Sequence, residues 1–226
     1  MEKTYDYLLF DLDGTLTYSH TGIYNCMRHA LRALGKPEPT EAELRCCVGP
    51  PLEYSFREIF GCTQAEAEAG VKKYRERYST VGLFENEPIE GAKECLAYLK
   101  KAGYKLALAT SKPLVFARQI AEKFGFTPYL DVLAGCGVDG SLNTKAAVIE
   151  EALRLLGTNE REKCLMIGDR KHDAEGARAC GVDFAALDVG YAEEGELENE
   201  RPNYYLSSFA ELEALFGNRE SGKMRD

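Results

Sequence analysis

The sequence lacks a long apolar run, a secretory signal and an excess of positive charge. Its longest apolar stretches, such as Leu106–Ala109 and Cys164–Ile167, are far shorter than the roughly 20 residues that span a bilayer. Met1 to Tyr7 carries acids where a secretory signal would carry basic and then apolar residues. We therefore expect neither a membrane anchor nor secretion, but a cytoplasmic protein.

The charge balance argues against polyanionic partners. Lys and Arg number 28 against 37 Asp and Glu, a formal net charge of −9. No net field therefore draws the chain to a nucleic-acid polymer or an anionic membrane. A small phosphorylated metabolite stays compatible, because a few local cations, or a metal held by carboxylates, bind one phosphate whatever the net charge.

The positions of the cysteines indicate neither a zinc site nor a disulfide framework. The eight cysteines are scattered, with no CxxC spacing and no Cys/His cluster. We interpret them as reduced thiols in a protein core.

The length of 226 residues suits one or two domains. Short apolar segments and amphipathic segments alternate along most of the chain. Short apolar runs of strand length lie at residues 5–10, 105–109, 131–134, 164–167 and 184–187. Amphipathic helical patterns cover residues 88–102, 113–124, 144–156 and 174–180. Alternating strands and helices predict a parallel sheet covered on both faces.

The segment from Thr17 to Glu85 breaks this alternation. Four helical patterns follow one another without a convincing strand, at residues 22–34, 40–47, 51–60 and 63–79. We predict a helical domain over 17–85, inserted into a discontinuous α/β domain built from 1–16 and 86–226. The polar tail from Asn218 to Asp226 is expected to fray.

Two aspartates, Asp11 and Asp13, end the first predicted strand. Residues two apart share one side of a strand, and Gly14 then permits a sharp exit of the chain. Ligands bind at the C-terminal edge of open parallel sheets, where paired acids repel unless a cation or a proton relieves them. The pattern indicates a ligand site; the alternative is one aspartate that caps a turn beside a solvated one.

A second acidic pair follows another predicted strand. Asp169 leaves the strand end, and Asp173 falls near the start of the next helix, where an acid can also serve as an N-terminal cap. With Asp11 and Asp13 these carboxylates can surround one hard cation, and all-oxygen ligands favour Mg²⁺ over Zn²⁺. We expect the neighbouring His172 to be a solvated side chain rather than a catalytic one.

Two further positions carry groups that a phosphate needs. Thr110 and Ser111 follow a predicted strand and offer hydroxyls and free N–H groups ahead of the helix that Pro113 starts. Lys145 begins another helix. Each alone is also typical of an ordinary loop or a surface cation. Their ordered occurrence with the two acidic pairs indicates one shared site.

These motifs together resemble those of the haloacid dehalogenase (HAD) superfamily. The residues that carry the resemblance are Asp11-Leu12-Asp13-Gly14-Thr15-Leu16-Thr17, Thr110-Ser111, Lys145, and Gly168-Asp169 with Asp173. The resemblance covers nearly the whole chain and implies an α/β, doubly wound parallel-sheet (Rossmann-like) core with an inserted α-helical cap. Within the superfamily, Val48-Gly49-Pro50-Pro51 and residues 168–173 look most like the phosphoglycolate phosphatase-like phosphatases. Tyr18-Ser19-His20 departs from many relatives, which carry an acid there, and this bears on the substrate.

The resemblance implies an enzyme that uses Mg²⁺ to hydrolyse a small phosphate monoester, such as phosphoglycolate, a nucleotide or a sugar phosphate, through an aspartyl-phosphate. Asp11 would be the nucleophile and Asp13 the general acid and base. The implied metal ligands are Asp11, the Asp13 carbonyl and Asp169, with Asp173 close by. Thr110 or Ser111, together with Lys145, would bind the phosphoryl oxygens.

Three other functions share parts of this pattern. A dehalogenase would need neither Asp13 nor Mg²⁺, so Asp13 argues against it. A phosphomutase shares the core and differs mainly in its cap. A phospho-aspartate signalling module would be about half this length and would have no cap.

Overall fold

The computed structural model describes residues 3–217, and the predicted polar tail, Asn218 to Asp226, lies outside the described residues. The chain divides into two compact units. One, here called the core unit, contains Met1–Thr17 and Pro88–Asp226; the other, the helical unit, contains Tyr18–Glu87. Within the described range, no helix is long and apolar enough to cross a membrane.

Eight strands and ten α-helices follow in chain order over the described residues. The strands are β1 (Tyr7–Phe10), β2 (Thr17–Tyr18), β3 (Glu87–Pro88), β4 (Lys105–Pro113), β5 (Val132–Cys136), β6 (Cys164–Gly168), β7 (Asp183–Leu187) and β8 (Tyr204–Leu206). The helices are α1 (His20–Ala33), α2 (Glu41–Arg45), α3 (Leu52–Tyr54), α4 (Gln64–Tyr78), α5 (Ala92–Lys101), α6 (Leu114–Lys123), α7 (Lys145–Leu156), α8 (Lys171–Ala179), α9 (Glu196–Asn199) and α10 (Phe209–Phe216).

Six of these strands form one parallel sheet in the core unit, in the order β5-β4-β1-β6-β7-β8. β1 is central, and Phe10 is level with Leu108 of β4 and Ile167 of β6. The strands are apolar because both faces of such a sheet are covered. The predicted α/β fold with a parallel sheet is confirmed.

The core lies on both faces of the sheet. On one face, Leu9 and Met166 pack in a fully buried cluster with the apolar sides of α7 and α8, which contribute Val148, Ile149 and Ala177. On neighbouring parts of the sheet, α5 contacts β4, α6 contacts β4 and β5, and α10 contacts α5. The continuous apolar runs of the strands and the 3.6-residue pattern of the helices therefore pack against each other on the sheet.

The helical unit is organised around α1 and α4, which pack against each other. Capping boxes start two of its helices: Thr40 with Glu43 at α2, and Thr63 with Glu66 at α4. In each, the hydroxyl accepts from the third N–H and the glutamate accepts from the cap N–H, so two otherwise unpaired donors are satisfied. Between the two boxes, α3 continues as a π-helix over Ser55–Ile59.

Several elements differ from the sequence-based expectation. β2 lies at the start of the segment that was expected to hold no strand. The α-helix expected over residues 51–60 is α-helical only over α3. It continues as a π-helix, in which the Phe60 N–H donates to the Ser55 carbonyl five residues back. β8 and α10 were not predicted. Strands of two or three residues are too short to show a period, whereas α10 does carry buried apolar residues at helical spacing, namely Phe209, Leu212 and Phe216.

All eight cysteines are free thiols. Six are buried, as expected of core thiols, but Cys46 is exposed and Cys136 is only partly buried. The expectation of a core position is wrong for these two.

Leu9 provides a test of the core, because it is fully buried on the central strand. We expect Leu9→Ala to lower the free energy of unfolding by about 3 kcal/mol, since transfer and cavity costs add. Val115→Ala, at a side chain 52% exposed, should change it by less than about 0.5 kcal/mol. Urea unfolding followed by circular dichroism measures both, and equal losses would contradict this account of the core.

Candidate active site

The expected site residues leave the sheet at one edge. Asp11 directly follows Phe10, and its N–H donates to the Ile167 carbonyl at 3.0 Å, which extends the pairing one residue beyond β1. Asp169 directly follows β6, the neighbour of β1. Thr110 lies near the end of β4, on the other side of β1. The parallel sheet thus brings residues distant in sequence to one edge.

Three carboxylates meet there. Asp11, Asp169 and Asp173 each place one oxygen within 4.8 Å of the others, and all three residues are buried. We call this group the carboxylate cluster. Like charges at this separation repel strongly where water is excluded, so the cluster requires a counter-charge.

Lys145 supplies one positive charge to the cluster. Its Nζ lies 2.6 Å from Asp11 Oδ1 and 2.6 Å from Asp173 Oδ1, and its side chain is only 6% exposed. The alternative interpretation of Lys145 as a surface cation is therefore wrong. The first residue of α7 instead bridges two acids that lie 162 positions apart in sequence.

Asp173 has both of the roles that the sequence suggested for it, a helix cap and a member of the acidic site. While Oδ1 pairs with Lys145, Oδ2 accepts the N–H of Arg170 at 3.1 Å at the start of α8. Asp173 is thus both a helix cap and a cluster member. Gly168 makes the close approach possible, because a Cβ at that position would lie 2.3 Å from Asp173 Cγ.

Burial and crowding shift the ionisation of these groups. Burial raises the pKa of Asp11 to about 6 against the opposing charge of Lys145, and Asp173 adds to the rise. Burial also raises the pKa of Asp169 well above its usual range, and the Asp173 and Asp11 charges raise it further. Burial alone would lower the pKa of Lys145, but Asp11 and Asp173 hold it above the ordinary lysine value.

The donor set fits a hard cation. Three buried carboxylates against one lysine leave an excess of negative charge, and every available ligand atom is an oxygen. Nearby in sequence, Asp13 Oδ1 is buried and has no hydrogen-bond partner among residues 3–217. Carboxylate oxygens are the ligands that Mg²⁺ takes in proteins, so the cluster can hold such an ion.

Asp13 stands apart from the cluster and pairs with a lysine that the sequence analysis did not assign to the site. Lys112 Nζ lies 2.5 Å from Asp13 Oδ2, and the lysine side chain is 6% exposed. The available signal was its spacing: Lys112 lies two residues after Thr110, on the same side of an extended strand.

The two hydroxyl residues have different surroundings. Thr110 is buried, and its Oγ1 accepts the Lys112 N–H at 3.2 Å, which leaves the hydroxyl proton for another acceptor. Ser111 is exposed, and its carbonyl oxygen accepts the Cys136 thiol at 2.9 Å. Among residues 3–217, no hydrogen bond joins either side chain to the carboxylate cluster.

Asp169 is held by two donors that the sequence analysis did not identify. The Thr15 hydroxyl donates to Oδ1 at 3.0 Å, and the Tyr191 N–H donates to Oδ2 at 2.8 Å. Thr15 lies within the first acidic motif, but a backbone donor such as Tyr191 leaves no side-chain signal in a sequence.

His172 is 44% exposed beside Glu175, as expected of a solvated side chain.

Comparison with known proteins assigns the family. The haloacid dehalogenase-like hydrolase family matches residues 8–187, most of the chain. The chain therefore belongs to the haloacid dehalogenase-like hydrolases. The resemblance seen in the sequence motifs is confirmed, and so is the prediction of an enzyme of the HAD phosphatase class.

Individual relatives differ in their names. A 5'-nucleotidase of Pseudomonas aeruginosa is 41% identical over 208 residues, which are 92% of this chain and 94% of that protein. The tyrosine-protein kinase PtkA of Mycobacterium tuberculosis is 40% identical over 184 residues, 81% of this chain and 62% of that protein. A solved structure of a predicted phosphatase from Clostridium acetobutylicum superposes with a TM-score of 0.88 at 36% identity, covering 93% of this chain and 97% of that one.

The raised pKa of Asp11 predicts how metal-free stability depends on pH. Between about pH 4 and 6 the folded state keeps a proton that the unfolded state loses, so this group's contribution to the free energy of unfolding falls as pH rises through that window. We expect Asp11→Asn, which cannot ionise, to gain stability relative to wild type by about 2 kcal/mol between pH 4.5 and 7. Urea unfolding in EDTA measures this difference.

Asp131→Asn is the matched control. Burial alone would raise the pKa of Asp131, but hydrogen bonds from Lys100 and Lys105 lower it below the ordinary aspartate value. This carboxylate is therefore ionised throughout the range from pH 4.5 to 7. Its difference from wild type should stay flat there. A flat difference for Asp11→Asn as well would contradict the raised pKa.

Proposed function

We propose that the protein is a Mg²⁺-dependent phosphatase that hydrolyses a small phosphate monoester through an aspartyl-phosphate on Asp11. The observation that carries the proposal is the carboxylate cluster with Lys145 at the C-terminal edge of the sheet. A carboxylate that is deprotonated, buried and held in place is suited to attack phosphorus.

Lys145 has two effects on the proposed nucleophile. Its ammonium, 2.6 Å from Asp11 Oδ1, fixes the orientation of the carboxylate and favours the charged form that attacks. The same charge offsets part of the repulsion between that carboxylate and a phosphate dianion. Lys145 therefore supports both attack and phosphate binding.

We propose that Asp11, Asp169 and Asp173, with the Asp13 backbone carbonyl, hold Mg²⁺. The support is the excess of buried negative charge and the all-oxygen donor set. When bound, the ion supplies positive charge that offsets the phosphoryl oxygens and the attacking carboxylate.

Asp13 is proposed as the general acid and base. Lys112 holds its Oδ2 at 2.5 Å, while Oδ1 is buried and free of described partners, so Oδ1 is the atom that can carry a proton to the leaving oxygen. The same atom can then take a proton from the water that hydrolyses the intermediate. Lys112 thus serves as a positioning residue for Asp13.

The phosphoryl oxygens are proposed to bind Lys145 and the end of β4. The Thr110 hydroxyl proton and the exposed Ser111 hydroxyl are both available as donors.

We further propose that the core unit is the catalytic domain and that the helical unit is the cap that selects the substrate. The relative called a 5'-nucleotidase makes nucleoside monophosphates the first substrates to test, followed by phosphoglycolate and sugar phosphates.

Phosphate release tests this function directly. We expect release of inorganic phosphate from p-nitrophenyl phosphate and from one of these metabolites in Mg²⁺, and none in EDTA. Asp11→Asn keeps the size of the side chain but removes the attacking charge, so kcat should fall by about 10³-fold or more.

Asp131→Asn serves as the control, because Asp131 is paired with two lysines just before β5, outside the site. It should keep most of the wild-type kcat. Retention of a tenth of kcat by Asp11→Asn, or full activity in EDTA, would overturn the proposal. Phosphoryl transfer from ATP to a tyrosine peptide, with no hydrolysis of any monoester, would instead favour a kinase such as PtkA.

A further inference from the structure

The loop at residues 188–195, between β7 and α9, contacts Asp169 although it carries none of the motif residues. The Tyr191 N–H donates to Asp169 Oδ2 at 2.8 Å. Because the Thr15 hydroxyl occupies Oδ1, both oxygens of a fully buried carboxylate have a donor. The plane of the Asp169 carboxylate is therefore defined by one donor from the first motif and one from this loop.

Two glycines allow the loop to come this close. A Cβ on Gly190 would lie 2.1 Å from the Gly14 carbonyl oxygen and 2.2 Å from Asp169 Oδ2. A Cβ on Gly14 would lie 2.1 Å from the same Asp169 oxygen and 2.6 Å from the Tyr191 ring. Any side chain at position 190 must displace either backbone or the carboxylate.

Glu196, the first residue of α9, ties the far end of the loop to the residues that follow Asp169. Its Oε1 accepts from Arg170 Nε and from the Lys171 N–H, each at 2.8 Å. Its Oε2 accepts the Glu193 N–H at 3.2 Å, and its side chain is only 8% exposed. The loop and its anchor therefore hold both Asp169 and the segment directly after it.

We propose that residues 188–196 form a positioning clamp that sets the affinity of the site for its divalent cation by fixing the orientation of Asp169. Gly190 permits the contact, Tyr191 donates the hydrogen bond and Glu196 anchors the loop. The proposal rests on the proposed metal site, of which Asp169 is a member. In this proposal the three residues act on the cation through Asp169, so they are positioning residues.

The physical reason is the geometry that the cation demands. Mg²⁺ requires near-octahedral oxygen ligands at short distances, so a ligand that turns freely must be ordered when the ion binds. Groups that hydrogen-bond to metal ligands typically change metal affinity by 10- to 100-fold. A donor on each oxygen of Asp169 supplies this ordering before the ion arrives.

The test compares two isosteric variants that each remove one ion pair beside α8. Glu196→Gln weakens the contact with Arg170, whereas Glu200→Gln weakens the 2.8 Å pair with Arg178 at the other end of the same helix. Isothermal titration of metal-free protein with Mg²⁺ should give a Kd about tenfold higher for Glu196→Gln and unchanged for Glu200→Gln. With p-nitrophenyl phosphate, kcat at saturating Mg²⁺ should stay near wild type in both.

A second measurement separates the clamp from the metal site. In metal-free protein, exchange of the Tyr191 amide hydrogen, followed by NMR, should be faster in Glu196→Gln and in Gly190→Ala than in wild type, and unchanged in Glu200→Gln. Faster exchange with an unaltered Mg²⁺ Kd would overturn the clamp while leaving the metal site intact. Unaltered exchange in both variants would also overturn it. Wild-type protein that binds no Mg²⁺ would overturn the metal site itself and the clamp with it.

Discussion

The fold holds three carboxylates together out of water although they repel one another, and the geometry of the site depends on this constraint. Asp11, Asp169 and Asp173 lie within 4.8 Å of one another with Lys145 as the cation that bridges two of them. No local interaction would bring these groups together, and solvent would separate them. The parallel sheet does so because β1 and β6 are neighbours and their C-terminal ends share an edge.

This repulsion links stability to function. Hydrophobic packing on both faces of the sheet supplies the free energy that holds the acids in place. In the proposed function, the excess negative charge of the same site attracts a cation and, through it, a phosphate. Neutralising Asp11, whose pKa is raised, should therefore relieve repulsion in the metal-free protein while abolishing the proposed catalysis, a common conflict at active sites. Thr15 and Tyr191, which both donate to Asp169, limit how far that carboxylate can turn away from the other two.

Much of this arrangement is predictable from sequence, because it rests on strand ends and residue types. The two acidic pairs each follow an apolar run of strand length, and Lys145 begins an amphipathic helix. The contacts of Asp169 with Tyr191 are not predictable, since a backbone N–H can come from any residue. β8 is too short to show a period, whereas the helical spacing of Phe209, Leu212 and Phe216 in α10 is a signal that the sequence does contain. Lys112 was visible beside Thr110, but its pairing with Asp13 needed the three-dimensional structure.

Covalent trapping shows whether the phosphoryl group passes to Asp11 during turnover. Protein mixed with a good substrate in Mg²⁺ is quenched in acid within milliseconds, treated with borohydride, digested and examined by mass spectrometry. Borohydride reduces an acyl phosphate to an alcohol, so we expect a reduced side chain at position 11 that forms only when substrate is present. Reduction at another carboxylate, or rapid phosphate release with no reduced side chain at any quench time, would exclude phosphoryl transfer to Asp11.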